Sequence, residues 1–208
     1  MVLVFDLDDT LYDEVEFVKS GLNEISYFID KPSSYEYMLN IFNEEGSGKI
    51  FNKVIKKFNL DISLQKLIEV YRFHTPKINL PSESTELLKY AVNFKTALIS
   101  DGHYIMQQNK FNSLNLFNYI DYPIFTDFHH TSKPNKKAFE MVMSKFENEK
   151  YVYISDNPKK DFQAPNELGW VTIRFKNYRG IYQNYKNNAD YEVSKRIQIL
   201  DILKEISE

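Results

Sequence analysis

The 208-residue chain carries a formal net charge of -3 and 15% aromatic residues, a length that suits one domain with a sizeable core or a core plus a smaller insertion, without the basic excess that marks nucleic-acid binding. It contains no cysteine, which removes disulfides, thiolate catalysis and thiolate metal sites and leaves oxygen and histidine as metal ligands. The first apolar run is too short for a signal-peptide core and no stretch approaches the ~20 apolar residues of a membrane span, so a cytoplasmic location with no membrane partner is expected.

Near the start, Val2-Leu3-Val4-Phe5 breaks abruptly into Asp6-Leu7-Asp8-Asp9-Thr10. Four bulky apolar residues followed by three carboxylates read as a buried central strand ending at its carboxyl edge, where open α/β sheets bind ligands. Two unit charges ~4 Å apart repel by roughly 4 kcal/mol at an effective dielectric of 20, so a positive group is expected beside them. Asp6 and Asp8 are two apart, and extended backbone aims both to one side. One can serve as nucleophile or metal ligand, the other as proton donor. Oxygen ligands from these aspartates point toward a hard cation such as Mg²⁺.

From Val15 to about Pro76 the spacing becomes helical. Val18, Leu22, Ile25 and Ile29 share a face, then Val54, Ile55 and Phe58, then Leu64, Leu67 and Ile68. Turns at Lys31-Pro32 and Gly46-Ser47-Gly48 divide this stretch into about four helices. The expected domains are residues 1-13 with 80-208 as a catalytic core, and residues 14-79 as an all-helical insertion. Beyond a helix near Glu83 to Val92, strand signals at Thr96 to Ile99, Tyr122 to Phe125, Tyr151 to Ile154 and Trp170 to Ile173 alternate with helical patterns at Tyr104 to Leu114, Lys136 to Phe146 and Lys159 to Leu168. That alternation predicts an α/β fold with a parallel sheet covered on both faces. Pro158 is placed as a first helical residue and Gly169 as the matching stop. The Tyr-, Asn- and Lys-rich tail beyond Lys176 is expected to wrap the surface before a last amphipathic helix near Ser194 to Ile206.

Polar clusters follow the later strands: Ser100-Asp101-Gly102, then Lys133-Pro134, then Ser155-Asp156-Asn157-Pro158-Lys159-Lys160-Asp161. On parallel strands they open on the same edge as Asp6. This ordered set resembles the four motifs of the haloacid dehalogenase superfamily: Asp-x-Asp-x-Thr (Asp6, Asp8, Thr10), a hydroxyl residue after a strand (Ser100), a lysine (Lys133) and an acidic pair (Asp156, Asp161). The resemblance covers about two thirds of the chain. It implies a Rossmann-like sheet of strand order 3-2-1-4-5, with a small helical cap inserted between the first and second motifs.

It also implies a Mg²⁺-dependent phosphomonoester hydrolase in which Asp6 attacks phosphorus and Asp8 acts as acid and base. Mg²⁺ is then held by the Asp6 carboxylate, the Asp8 main-chain carbonyl and Asp156, with Asp161 in support. Thr10, Ser100, the Gly102 amide and Lys133 are expected to bind the phosphoryl group. True dehalogenases lack an acid two residues after the nucleophile, and this chain has Asp8. The motifs leave a phosphomutase open, and a phosphate-responsive binding protein is the non-enzymatic alternative. A cap starting within a few residues of Asp8 is expected to restrict the substrate to a small phosphorylated metabolite, a sugar or nucleotide phosphate. His129-His130 reads as an ordinary loop pair, His103 as either a substrate contact or a helix start, and Arg174 and Arg179 as surface ion pairs.

Overall fold

The computed structural model describes residues 1–207. The chain divides into two compact units, one formed by Met1–Glu14 with the chain from Asn79 onward, the other by Val15–Ile78.

The first unit is built on a six-stranded, all-parallel sheet of order β3-β2-β1-β4-β5-β6. Its strands are β1 (Val2–Phe5), β2 (Lys95–Ser100), β3 (Tyr122–Phe125), β4 (Tyr151–Ser155), β5 (Val171–Phe175) and β6 (Tyr191–Val193). This is the Rossmann-like order expected, with one more edge strand. β1 is central because every one of its side chains is apolar and fully buried, as a strand covered on both faces requires. Val2, Val4, Ala97, Ile99, Ile124, Phe139, Val142, Tyr153 and Trp170 belong to one core cluster. The helices of this unit are α5 (Ser82–Ala91), α6 (Tyr104–Ser113), α7 (Lys137–Lys145), α8 (Gln163–Glu167) and α9 (Ile197–Ser207), the last packed on α5.

Two expectations are corrected here. The helix placed over Lys159 to Leu168 is only α8, beginning at Gln163. Asn157 Oδ1 accepts from the Lys159 amide and the Asn157 carbonyl from the Asp161 amide, so the residues after Pro158 form turns that carry Asp161 back toward the sheet. The tail also contains β6, where only a surface wrap was expected. Asp190 fixes it, its carboxylate accepting from the amide and hydroxyl of Thr172 in β5. Thr96 and Asp121 repeat this arrangement at the other end of the sheet.

The second unit is helical. α1 (Glu14–Phe28) runs into it, followed by α2 (Ser34–Glu45), α3 (Ile50–Phe58) and α4 (Leu64–Phe73). Val18, Leu22, Ile25, Met38, Ile50, Val54 and Leu67 form its core. A Cβ on Gly21 would come within 2.4 Å of the Tyr71 ring, so only glycine lets α1 lie this close to α4. His74 ties the same two segments, with Nδ1 against the Tyr71 carbonyl at 2.6 Å and Nε2 against Ser20 Oγ at 3.1 Å. No described helix is long and apolar enough to cross a membrane.

Candidate active site

Because the five longer strands are parallel and in register through Phe5, Leu98 and Ile154, their carboxyl ends deliver Asp6, Ser100, Asp101, Ser155 and Asp156 to one edge. The chain turns sharply after β1 through Asp9, whose φ of 56° lies in the left-handed region that Asp tolerates better than most residues. Asp9 Oδ1 accepts from the Glu14 amide, and Asn177 Nδ2 donates to both the carbonyl and Oδ1 of Asp9. A pocket of about 150 Å³ opens over this edge, lined by Asp6, Asp8, Lys133, Asp156, Asp161, Lys160 and six further residues.

The arrangement alternates charge. Lys133, 5% exposed, places Nζ 2.5 Å from Asp6 Oδ1 and 2.8 Å from Asp161 Oδ2. Ser155 Oγ also donates to Asp161 Oδ2, leaving Asp161 Oδ1 buried without a partner. Asp6, Asp156 and Asp161 each offer an oxygen, all within 4.8 Å of one another. Thr10 Oγ1 donates to Asp6 Oδ2.

On the far side of Asp6, the Asp8 carboxylate is saturated with donors. Lys110 Nζ lies 2.8 and 2.9 Å from its two oxygens, Tyr12 OH donates to Oδ1 at 2.6 Å and Gln107 Nε2 to Oδ2 at 2.7 Å.

Asp6, Asp8, Lys133, Asp156 and Asp161 therefore meet in one pocket. Thr10, Ser100 and Gly102 lie behind or beside it and do not line it. Ser100 is 1% exposed, its Oγ against Gln107 Nε2. His103, at the start of α6, and His129 and His130, in the loop after β3, are also absent from the lining.

The sequence matches the family model of haloacid dehalogenase-like hydrolases over residues 3–175. The chain belongs to this family. It is similar to the glyceraldehyde 3-phosphate phosphatase of Methanocaldococcus jannaschii, with 28% identity covering 98% of this chain and 97% of the relative. The protein of the same name from Pyrococcus furiosus is 26% identical, with 98% of this chain and 92% of the relative covered. Among solved structures, a 2-haloacid dehalogenase from Pseudomonas syringae superposes with a TM-score of 0.66 at 16% identity over 99% of this chain and 98% of that one. That likeness is one of fold.

In this haloacid dehalogenase-like hydrolase the acids are strongly perturbed. Burial pushes Asp6 up to about 7 against the pull of Lys133, with Asp161 adding to the rise. Burial, then the charges of Asp6 and Asp9, pushes Asp156 up to about 9. Asp8 moves the other way. Burial would raise it, but the Lys110 charge and the hydrogen bonds from Lys110, Tyr12 and Gln107 hold it below the ordinary carboxylate range.

Several residues of the site carry little signal in the sequence. Asp101 accepts from Thr126 Oγ1, the Lys133 amide and Lys160 Nζ. Its position after β2 is visible in the sequence but its partners are not. Gln107 and Lys110 carry a fainter signal, since α6 turns Gln107, Lys110 and Phe111 inward in place of an apolar stripe. Arg174 corrects an expectation. It is 1% exposed and not on the surface. Its guanidinium bonds to the carbonyls of Tyr182 and Tyr185 and to Glu192, and Nε to the Asp156 carbonyl. Arg179 is exposed and pairs with Asp13, as expected.

Proposed function

We propose that this phosphatase of the haloacid dehalogenase superfamily hydrolyses a small sugar phosphate through a covalent phosphoryl intermediate on Asp6, with a divalent cation as cofactor. The observation that carries the reading is the trio Asp6, Asp156 and Asp161 with oxygens within 4.8 Å of one another, two of them paired with Lys133. The glyceraldehyde 3-phosphate phosphatases among its relatives make triose phosphates the first substrates to assay.

The donor set fits a hard cation. It is all carboxylate oxygen, Asp161 Oδ1 is buried without a partner, and the upward shifts of Asp6 and Asp156 register a site short of positive charge. Asp6 and Asp156, with the main-chain carbonyl of Asp8, would hold Mg²⁺, and Asp161 would support them. When bound, the ion offsets the charge of the phosphoryl oxygens and keeps the carboxylates ionised.

The protein's own groups account for the rest. Thr10 and Lys133 orient the Asp6 carboxylate, and Lys133 neutralises charge on the transferring group. An oxygen of Asp6 attacks phosphorus, the bond from phosphorus to the ester oxygen breaks, and Asp8 gives its proton to the leaving alcohol. An incoming phosphate ester raises the proton affinity of Asp8 by like-charge repulsion, so that Asp8 takes up from solvent the proton it then gives. Asp8 then takes a proton from the water that attacks phosphorus, and the phosphorus bond to Asp6 breaks to release inorganic phosphate.

Release of inorganic phosphate from glyceraldehyde 3-phosphate and a panel of sugar and nucleotide monophosphates tests the proposal. Turnover should vanish in EDTA and return with Mg²⁺. Undiminished turnover in chelator would exclude the cation's role, and a sugar bisphosphate requirement without net phosphate release would make the enzyme a mutase.

A second expectation follows from the shifted acids. Asp6 and Asp156 lie above their ordinary values in the metal-free fold, so between about pH 4 and about pH 9 the folded protein retains protons that the unfolded chain has lost. The contribution of these two groups to stability therefore falls as pH rises through that window. A cation bound to their ionised forms reverses the loss. The increase in Tm on adding Mg²⁺ should accordingly grow from about pH 5 to about pH 9, and a cation-induced increase that shrinks over that range would contradict the assignment.

A further inference from the structure

Lys110 has no place in the motifs that define the site, yet it is among the largest fully buried side chains of the molecule. It leaves α6 with Gln107 one turn before it on the same inward face. Burying an ammonium costs several kcal/mol unless a partner compensates. The compensation here is the Asp8 carboxylate, met at 2.8 and 2.9 Å, with the half-exposed Glu14 at 3.6 Å.

The contacts divide the two Asp8 oxygens between them. Oδ1 receives Tyr12 OH and Lys110, and Oδ2 receives Gln107 and Lys110. With donors on both oxygens, the carboxylate is held in one orientation. Gln107 Nε2 also reaches Ser100 Oγ at 3.0 Å and the Asp101 carbonyl. A single amide thus spaces Asp8 from the hydroxyl residue after β2. The Cβ that any other residue would carry at Gly102 would press on this amide at 3.1 Å, so the loop after β2 also limits where Gln107 can sit.

We propose that Lys110, assisted by Tyr12 and Gln107, is a positioning residue that sets the orientation of Asp8 for proton exchange with the leaving group and with water. This rests on the acid-base role proposed for Asp8. Removing one partner of a buried pair is itself destabilising, so a lysine kept only for stability would, when replaced, lower turnover of every ester alike. A lysine that acts through Asp8 must instead share the dependence of Asp8 on how much the leaving group needs a proton.

The experiment compares kcat/KM for p-nitrophenyl phosphate, which needs little protonation, with that for an alkyl phosphate, which needs much, in wild type, Asp8→Asn, Lys110→Met and the double variant. Asp8→Asn should lose something of the order of ~10²–10⁴-fold on the alkyl ester and far less on the aryl ester. Lys110→Met should follow the same pattern, losing about tenfold more on the alkyl ester than on the aryl ester, and should add nothing in the Asp8→Asn background, as expected for groups acting as a unit.

Equal losses on the two esters for Lys110→Met, or full additivity with Asp8→Asn, would overturn the role of Lys110 while leaving that of Asp8 intact. Equal losses for Asp8→Asn itself would overturn the acid-base reading and the positioning role with it. If circular dichroism shows Lys110→Met to be unfolded, Tyr12→Phe, which deletes one oxygen, takes its place: a larger loss on the alkyl ester supports the positioning role, and equal losses or full additivity with Asp8→Asn overturn it.

Discussion

Replacing Asp6 with asparagine is expected to abolish turnover of the best substrate, by at least about 10⁴-fold, while the circular dichroism spectrum stays that of the wild type. The amide keeps the volume of the carboxyl group and can still meet Thr10 Oγ1, which lies 3.2 Å from Asp6 Oδ2, so the carboxyl end of β1 has no steric reason to move. What disappears is the nucleophilic oxygen and one negative charge of the trio. The variant should also fail to take up label from a ³²P-labelled substrate in an acid quench that traps phosphoryl-enzyme in the wild type. Retention of more than about a tenth of wild-type activity would remove Asp6 from the covalent role.

The second large effect is expected at Lys133. Its ammonium is shared by Asp6 and Asp161 and reaches Tyr153 OH at 3.1 Å, and the two acids hold its pKa well above the ordinary lysine value despite burial. Lys133→Met would leave two buried carboxylates facing each other without their common cation. Breaking a buried pair in this way costs about 3–5 kcal/mol, and losing the cation proposed to neutralise the transferring group should cost a further ~10²–10³-fold in turnover. Urea unfolding in chelator at neutral pH should show the stability loss, and saturating Mg²⁺ should recover part of it without recovering activity. A variant as stable as wild type in chelator, or one that turns over at more than a tenth of the wild-type rate, would contradict the reading.

The parallel sheet is legible in the sequence because its strands are short apolar runs between helical stretches, a pattern that local chemistry dictates. The trio of acids and Lys133 is legible for the same reason, since each follows a strand and parallel strands must open together. Lys110 and Gln107 are not, because nothing in a helix marked by polar inward residues tells which carboxylate they will meet across 102 and 99 residues of chain. Arg174 is hidden on similar grounds. Its burial depends on carbonyls of Tyr182 and Tyr185, which lie in the irregular segment between β5 and β6. β6 itself is three residues long and only partly buried, too short and too mixed in polarity to stand out as a strand.

Arg174 grips residues 182 and 185 by their main-chain carbonyls. Ile181, 76% exposed, and Tyr182 both line the pocket from this segment. A carbonyl is the same whatever side chain stands beside it. These two bonds do not depend on the side chains at 182 and 185, so residues that border the pocket can be exchanged without removing them. Positions 181 and 182 are therefore the ones at which a library of substitutions can be screened for altered substrate preference with the Arg174 anchor kept in place.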